Sequence, residues 1–266
     1  MPDKFYTIWL KLRWAEKNLN ALDFEISAFL RGNPCIALPE TDSKTGEKVW
    51  KVTALSFIPQ WWSLSVGDIV HDLRSSLDHL IWEVSDPILR QGKERVIQFP
   101  ICDSEFGKNK RGGFKDHVAQ QQISALSAAH KAVIEELQPY KTSTPDLLPY
   151  LTLLRDLSDY EKHRQLLLVY FGIGTIIVSP PNTAPGLIDY RRLFSNRVED
   201  NTELFRFPKD VKMNPSVTFD IAFDDGWPGR RFRVSEALHG ILNHIKGEVM
   251  SKFFTTDPFD KPLFML

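Results

Sequence analysis

The 266-residue chain lacks most of the features that disclose a function at sight. It has two cysteines, Cys35 and Cys102, at a separation that matches no zinc or redox spacing. A disulfide scaffold and a zinc finger are therefore excluded, and free thiols in a reducing compartment are expected. No apolar run reaches the roughly 18 residues that a bilayer-spanning helix needs. The longest, residues 166–178, is interrupted by Tyr170, Gly172, Gly174 and Thr175 and reads better as strand. Met1-Pro2-Asp3-Lys4 does not open a basic segment followed by an apolar core, so no secretory signal is expected. A cytoplasmic location and no membrane partner are the corresponding expectations. Charge of one sign is missing too: 33 Lys and Arg meet 34 Asp and Glu, for a net charge of −1. Nucleic acid would have to be held by local patches, because no global basic field gathers it. There is no internal repeat and no Ser or Cys nucleophile in a recognisable elbow. Gly172-Ile173-Gly174 lacks the rest of a dinucleotide fingerprint and reads as a strand feature.

What is present is ordinary globular composition, 42% hydrophobic and 25% charged, in a length that suits one domain over 1–266. Phe5, Ile8, Leu12, Ala15, Leu19, Leu22, Ile26 and Phe29 recur in steps of three and four, which predicts one long amphipathic helix. Arg31-Gly32-Asn33-Pro34 ends it. So narrow a seam asks for a partner helix, in the same chain or in a second copy that would make a homodimer through this N-terminal helix. A hairpin near 35–57 follows, turning at Asp42-Ser43-Lys44-Thr45-Gly46. A second helix is predicted over about 66–85, opened by Ser65 with Asp68, striped by Val66, Ile69, Leu73, Leu77, Leu80 and Val84, and stopped by Pro87. Further helical patterns cover 123–137 and 146–164. Beyond residue 166 the pattern turns to strands, among them the alternating Val217, Phe219, Ile221 and Phe223, and a last helix is predicted over 235–253. The expected fold is α+β: a layer of long helices from the N-terminal half (about 1–165, with the hairpin inserted) packed on a mostly antiparallel sheet from the C-terminal half (about 166–234), ending in a helix.

The polar side of the second helix is chemically dense. His71, Arg74, Asp78 and Trp82 stand at i, i+3, i+7 and i+11 and form one row, with Asp68, Asp72, Ser75 and His79 on its flank. Histidine moves protons near neutral pH, arginine forks two hydrogen bonds to a phosphate, and a carboxylate can orient an imidazole. Together they suit metal-free RNA cleavage, in which the 2′-hydroxyl attacks the adjacent phosphate, a histidine relays the proton and arginine stabilises the transition state. A purely structural reading competes: a helix face that meets solvent, with Arg74 and Asp78 simply paired.

Arg74-Ser75-Ser76-Leu77-Asp78-His79 resembles the R-x4-6-H motif of the HEPN superfamily. The resemblance implies a helical, often dimeric, metal-independent ribonuclease of bacterial defence or stress systems, with Arg74 on phosphate and His79 in proton transfer. Residues five apart on a straight helix diverge by about 140°. Arg74 and His79 therefore share a site only if the helix is distorted or a partner wraps it. The segments 73–82 and Glu161-Lys162-His163-Arg164 also look like parts of uncharacterised bacterial proteins.

Asp156, Asp159 and His163 form a second group on the helix before the strands, with Lys162 beside them. Asp159 and His163 facing His71 and Asp78 would supply the four ligands of a bundle metal centre; the bland alternative is a clamp of cross-paired charges between two helices. Lys108, Lys110 and Arg111 lie among glycines in a loop that could cradle phosphate. The leading expectation is a HEPN-like ribonuclease or RNA-binding protein. It bets on Arg74, His79, His71 and Asp78, supported by Asp159, Lys162 and His163, with phosphate contacts from Lys108, Lys110 and Arg111 and with neither metal nor cofactor. The alternatives are a non-enzymatic helical interaction protein and a bundle metalloprotein.

Overall fold

The computed structural model describes residues 5–107, 112–142, 149–163, 169–177, 198–210, 215–223 and 233–254. The elements run α1 (Tyr6–Arg31), β1 (Cys35–Thr41), β2 (Lys48–Ala54), α2 (Trp61–Val84), α3 (His117–Gln122), α4 (Ala128–Glu136), α5 (Pro139–Thr142), α6 (Tyr150–His163), β3 (Val169–Ile177), β4 (Glu203–Phe207), β5 (Ser216–Phe223) and α7 (Val234–His244). The fold is mixed α+β, with helices dominant early, antiparallel strands late and a closing helix. No described helix is long and apolar enough to cross a membrane.

The chain divides into two compact units. The first takes Met1–Asn20, Ser65–Leu166 and Ala237–Leu266, and its described elements are all helical. Its core is the α1 seam at Ile8, Leu12, Ala15 and Leu19, the α2 stripe at Val66, Ile69, Leu73, Leu77 and Leu80, and Leu151, Leu154 and Leu157 of α6, all buried. Each of the Val, Leu and Ile side chains among them contributes about 1.5–3 kcal/mol by leaving water. The α1 seam is thus filled from within the chain and is not open to a second copy. The second helix starts a turn before the expected Ser65, because Pro59 accepts from the Trp62 amide and Trp62 is itself buried. At its far end the Ser85 hydroxyl donates to Ile81 O, and Asp86 Oδ1 accepts from the Ile88 and Leu89 amides.

Two other helices differ from expectation. Of the pattern over 123–137 only α4 is helical and residues 123–127 are not, since Ser127 caps α4 by accepting from the His130 amide and Ala125 O accepts from the Asp86 amide. The closing helix changes after His244 into a π turn, Ile245–Val249, and a 3-10 turn, Met250–Lys252.

The second unit takes Ala21–Leu64 and Leu167–Glu236 and holds both sheets. One is antiparallel in the order β1-β2-β4, the other pairs β3 with β5, also antiparallel. The hairpin near 35–57 stands between α1 and α2 in the chain and supplies two strands of a three-stranded sheet completed by β4. Its centre is β2, where Val49, Trp50 and Val52 are buried and Trp50 pairs with Phe205. Pro39, which cannot donate to a ladder, sits on the edge strand β1. Gly172 lies within β3, where a Cβ would come to 3.1 Å of Ala222 Cβ, as a strand feature requires. Within the strand region expected over about 166–234, residues 166–168, 178–197, 211–214 and 224–232 lie outside those described.

Between α2 and α3 the first unit buries an irregular segment, and buried backbone must find partners. Gln138, fully buried, supplies three: its amide nitrogen donates to Pro100 O (3.0 Å) and Ile134 O (2.9 Å), and its oxygen accepts from the Cys102 amide (2.9 Å). Gln138→Leu keeps the approximate volume and orphans these groups. It is expected to destabilise the chain by about 2–4 kcal/mol, read as a lowered urea midpoint with an unchanged slope.

Candidate functional site

The segment at residues 98–103 is the pivot of the first unit. Arg74 and Asp78, one turn apart on α2, hold its Phe99 peptide from both ends. Arg74 Nη2 donates to Phe99 O at 2.7 Å, the Phe99 amide donates to Asp78 Oδ1 at 2.9 Å, and the two side chains are paired at 3.1 Å. Arg155 of α6 repeats the device two residues on. Its Nη1 donates to Ile101 O at 3.3 Å, while Nη2 bridges Asp103 and Asp156, both at 2.8 Å. Thr152 Oγ1 also donates to Asp103, at 2.7 Å. Burial opposes the Arg155 charge, but the Asp103 and Asp156 carboxylates outweigh it and raise its pKa further.

Above this segment lies a cleft of about 560 Å³, the size of a small-molecule or nucleotide site. Arg74, Arg155, His117, Asp159, Gln98 and Gln122 give it its polar lining. Arg74 is 12% exposed, and its Nη1, the nitrogen not used on Phe99, is buried with no hydrogen-bond partner among the described residues. One wall is the base of the glycine loop. There Asp116 Oδ2 accepts from the Gly107 and Gly113 amides, and a Cβ at Gly113 would come to 2.4 Å of Phe106 backbone. Cys102 also lines the cleft, and burial pushes its thiol up to about 11, so it is no thiolate nucleophile near neutral pH.

Of the residues expected from sequence, the structure brings Arg74, Asp78 and Asp159 to or beside this cleft. It does not bring His71 or His79. His71 is exposed, and His79 is half-buried elsewhere on α2, where Lys11 of α1 is among its charged neighbours. Lys11 also pairs with Asp72 at 3.6 Å. The imidazole at the cleft is His117, which sequence reading left without a role; Arg155 was missed as well. Lys162 and His163 belong to the last turn of α6 with side chains outside the described residues, and Lys108, Lys110 and Arg111 lie outside them altogether. Among the described residues no group of three His, Cys, Asp or Glu side chains could hold a metal ion.

His79 and His244 are both held below the ordinary histidine value of 6.5, chiefly by burial, with Lys11 adding to the effect at His79. A histidine that resists protonation when folded lets the unfolded chain take up the proton first. Stability is therefore full above about 6.5 and falls as pH drops through that value towards the lower folded pKa. Asp42, Glu47 and Glu135, all with lowered pKa, act at more acid pH. Chemical denaturation between about pH 7 and pH 5 is expected to show this decline, and His79→Gln with His244→Gln to flatten it. A wild-type chain that gained stability on acidification in that window would contradict the assignment.

Comparison of the chain with family models, with curated proteins and with solved structures finds no match. The functional reading therefore rests on the chemistry of the cleft.

Proposed function

We propose that this chain binds single-stranded RNA and seats a base, rather than a phosphate, in the cleft at Arg74. The observation that carries the reading is that Arg74, whose Nη1 is buried without a hydrogen-bond partner among the described residues, lines a nucleotide-sized cleft. A buried donor without a partner costs about 1–3 kcal/mol, which a ligand acceptor would recover.

Charge decides between base and phosphate. Two guanidiniums line the cleft, but so do the carboxylates of Asp116 and Asp159. Arg74 is already neutralised by Asp78, and Arg155 by Asp103 and Asp156. Among the described lining residues a phosphate would meet no uncompensated guanidinium. A base edge asks for donors and acceptors side by side, and Arg74, Asp159, Gln98 and Gln122 offer both. Unstacked bases of single strands are read in this way. Phosphate contacts fall to Lys108, Lys110 and Arg111, which precede the cleft-lining Gly112 in sequence.

The likeness of Arg74–His79 to the HEPN ribonuclease motif supports extending the proposal to catalysis. Metal-independent cleavage would use His117, the imidazole at the cleft, as the proton-transfer group, in place of His79. Fluorescence anisotropy with four single-stranded homopolymers tests the binding. Affinity is expected to differ between bases, and Arg74→Met to weaken the preferred one roughly tenfold, about 1.4 kcal/mol. His117→Ala, at an exposed residue, is expected to abolish any cutting that persists in chelator, whereas His79→Ala leaves it. Equal affinity for all four with a steep salt dependence would assign the binding to phosphate alone. No binding at ~100 μM RNA, a level that detects even weak specific complexes, would remove the reading.

A further inference from the structure

Which base the cleft takes depends on the charged groups in it that are not already bonded. Arginine side chains only donate, and carboxylates only accept. Arg155 is occupied by Ile101 O, Asp103 and Asp156, and Asp116 Oδ2 by the Gly107 and Gly113 amides. Arg74 and Asp159, which also line the cleft, are not fully used. Arg74 Nη1 is buried with no hydrogen-bond partner among the described residues. Asp159 is exposed, and among the described residues its carboxylate has neither a hydrogen bond nor an ion pair. It stands one turn beyond Arg155, on the same side of α6.

A group that only donates and a group that only accepts do not serve the bases alike. Uracil shows one ring N–H between two carbonyls. Adenine and cytosine show one amine beside an unprotonated ring nitrogen. Each of these brings an acceptor lone pair against a carboxylate that reads its donor. Guanine alone sets two donors side by side, N1–H and N2–H2, so that both carboxylate oxygens are used at once. Its O6 and N7 accept, and arginine is the side chain that most often meets them. Hydrogen bonds to an ionised group are roughly twice as strong as neutral ones, so these two residues weigh most in the choice. The amides of Gln98 and Gln122 can each donate and accept, which suits any base and discriminates among none.

We propose that the cleft selects guanine, with the Asp159 carboxylate accepting from N1–H and N2–H2 and the Arg74 guanidinium donating to O6. This selection rests on the cleft seating an RNA base, as proposed above, and one experiment separates the two. It is fluorescence anisotropy of the full chain with short oligouridylates that carry a single central guanosine, inosine, adenosine or cytidine. Guanosine is expected to bind most tightly. Inosine keeps N1–H and O6 but lacks the N2 amine, and is expected to bind about tenfold more weakly. Asp159→Ala, at an exposed side chain, is expected to bring guanosine and inosine to equal affinity, a change in ratio that a general loss of stability would not produce. A wild type that binds these oligonucleotides but prefers another base, or does not distinguish guanosine from inosine, overturns guanine selection and leaves RNA binding standing. So does a guanosine preference that survives Asp159→Ala. No binding to any of them at ~100 μM RNA overturns the base site and guanine selection together.

Discussion

One ion pair, Arg74 with Asp78, organises the candidate site, because it does on a helix surface what a neighbouring strand would do in a sheet. It gives the Phe99 peptide a donor for its carbonyl and an acceptor for its amide. A polypeptide without regular structure can then cross the interior without orphaned backbone groups. Gln138 and Arg155 extend the same service to Pro100, Ile101 and Cys102. The cost is desolvation of charged groups, which is offset only where each charge keeps a partner and its remaining hydrogens are used. Arg155 meets that condition with two carboxylates. Arg74 meets it except at Nη1.

This exception separates scaffold from site. A guanidinium has five donors in a fixed fork, so an arginine that anchors backbone with one nitrogen can present another to a ligand with no further ordering cost. The anchoring also fixes where the free nitrogen points, which is the preorganisation that binding requires. The same arrangement pairs the guanidinium with Asp78, which under the proposed reading favours a hydrogen-bonding edge over a phosphate.

Periodicity made much of the fold legible. The α1 seam and the α2 stripe followed helical spacing closely, because their positions from Ile8 to Ile26 and from Val66 to Leu80 are buried. The break near Ile123 was hidden because Ile123, Ala125 and Leu126 are buried although the chain there is not helical. Burial, and not helix, produced that apolar spacing. The pairing of β4 with β2 was invisible for another reason: about 150 residues lie between the strands, and no local pattern records a partner so distant. At the site, Arg74 and Asp78 stood out as an i, i+4 pair, but their task could not be read. The group they serve is backbone at Phe99, and a peptide group has no signature in sequence. Arg155 and His117 escaped notice for the same reason, as each gains its meaning from a segment more than a dozen residues away.

The motif that joined Arg74 to His79 illustrates the limit of linear spacing. Five residues along a straight helix turn two side chains about 140° apart, and α2 is unbroken between them. Arg74 turns to the segment around Phe99, while His79 sits where Lys11 adds to the depression of its pKa. That imidazole resists protonation, and it is not among the residues that line the cleft. Within one copy, then, the helix separates the fork from the base that the motif would unite. His117 reaches the cleft from another helix, so the pairing of arginine with imidazole is a product of tertiary structure and not of the hexapeptide.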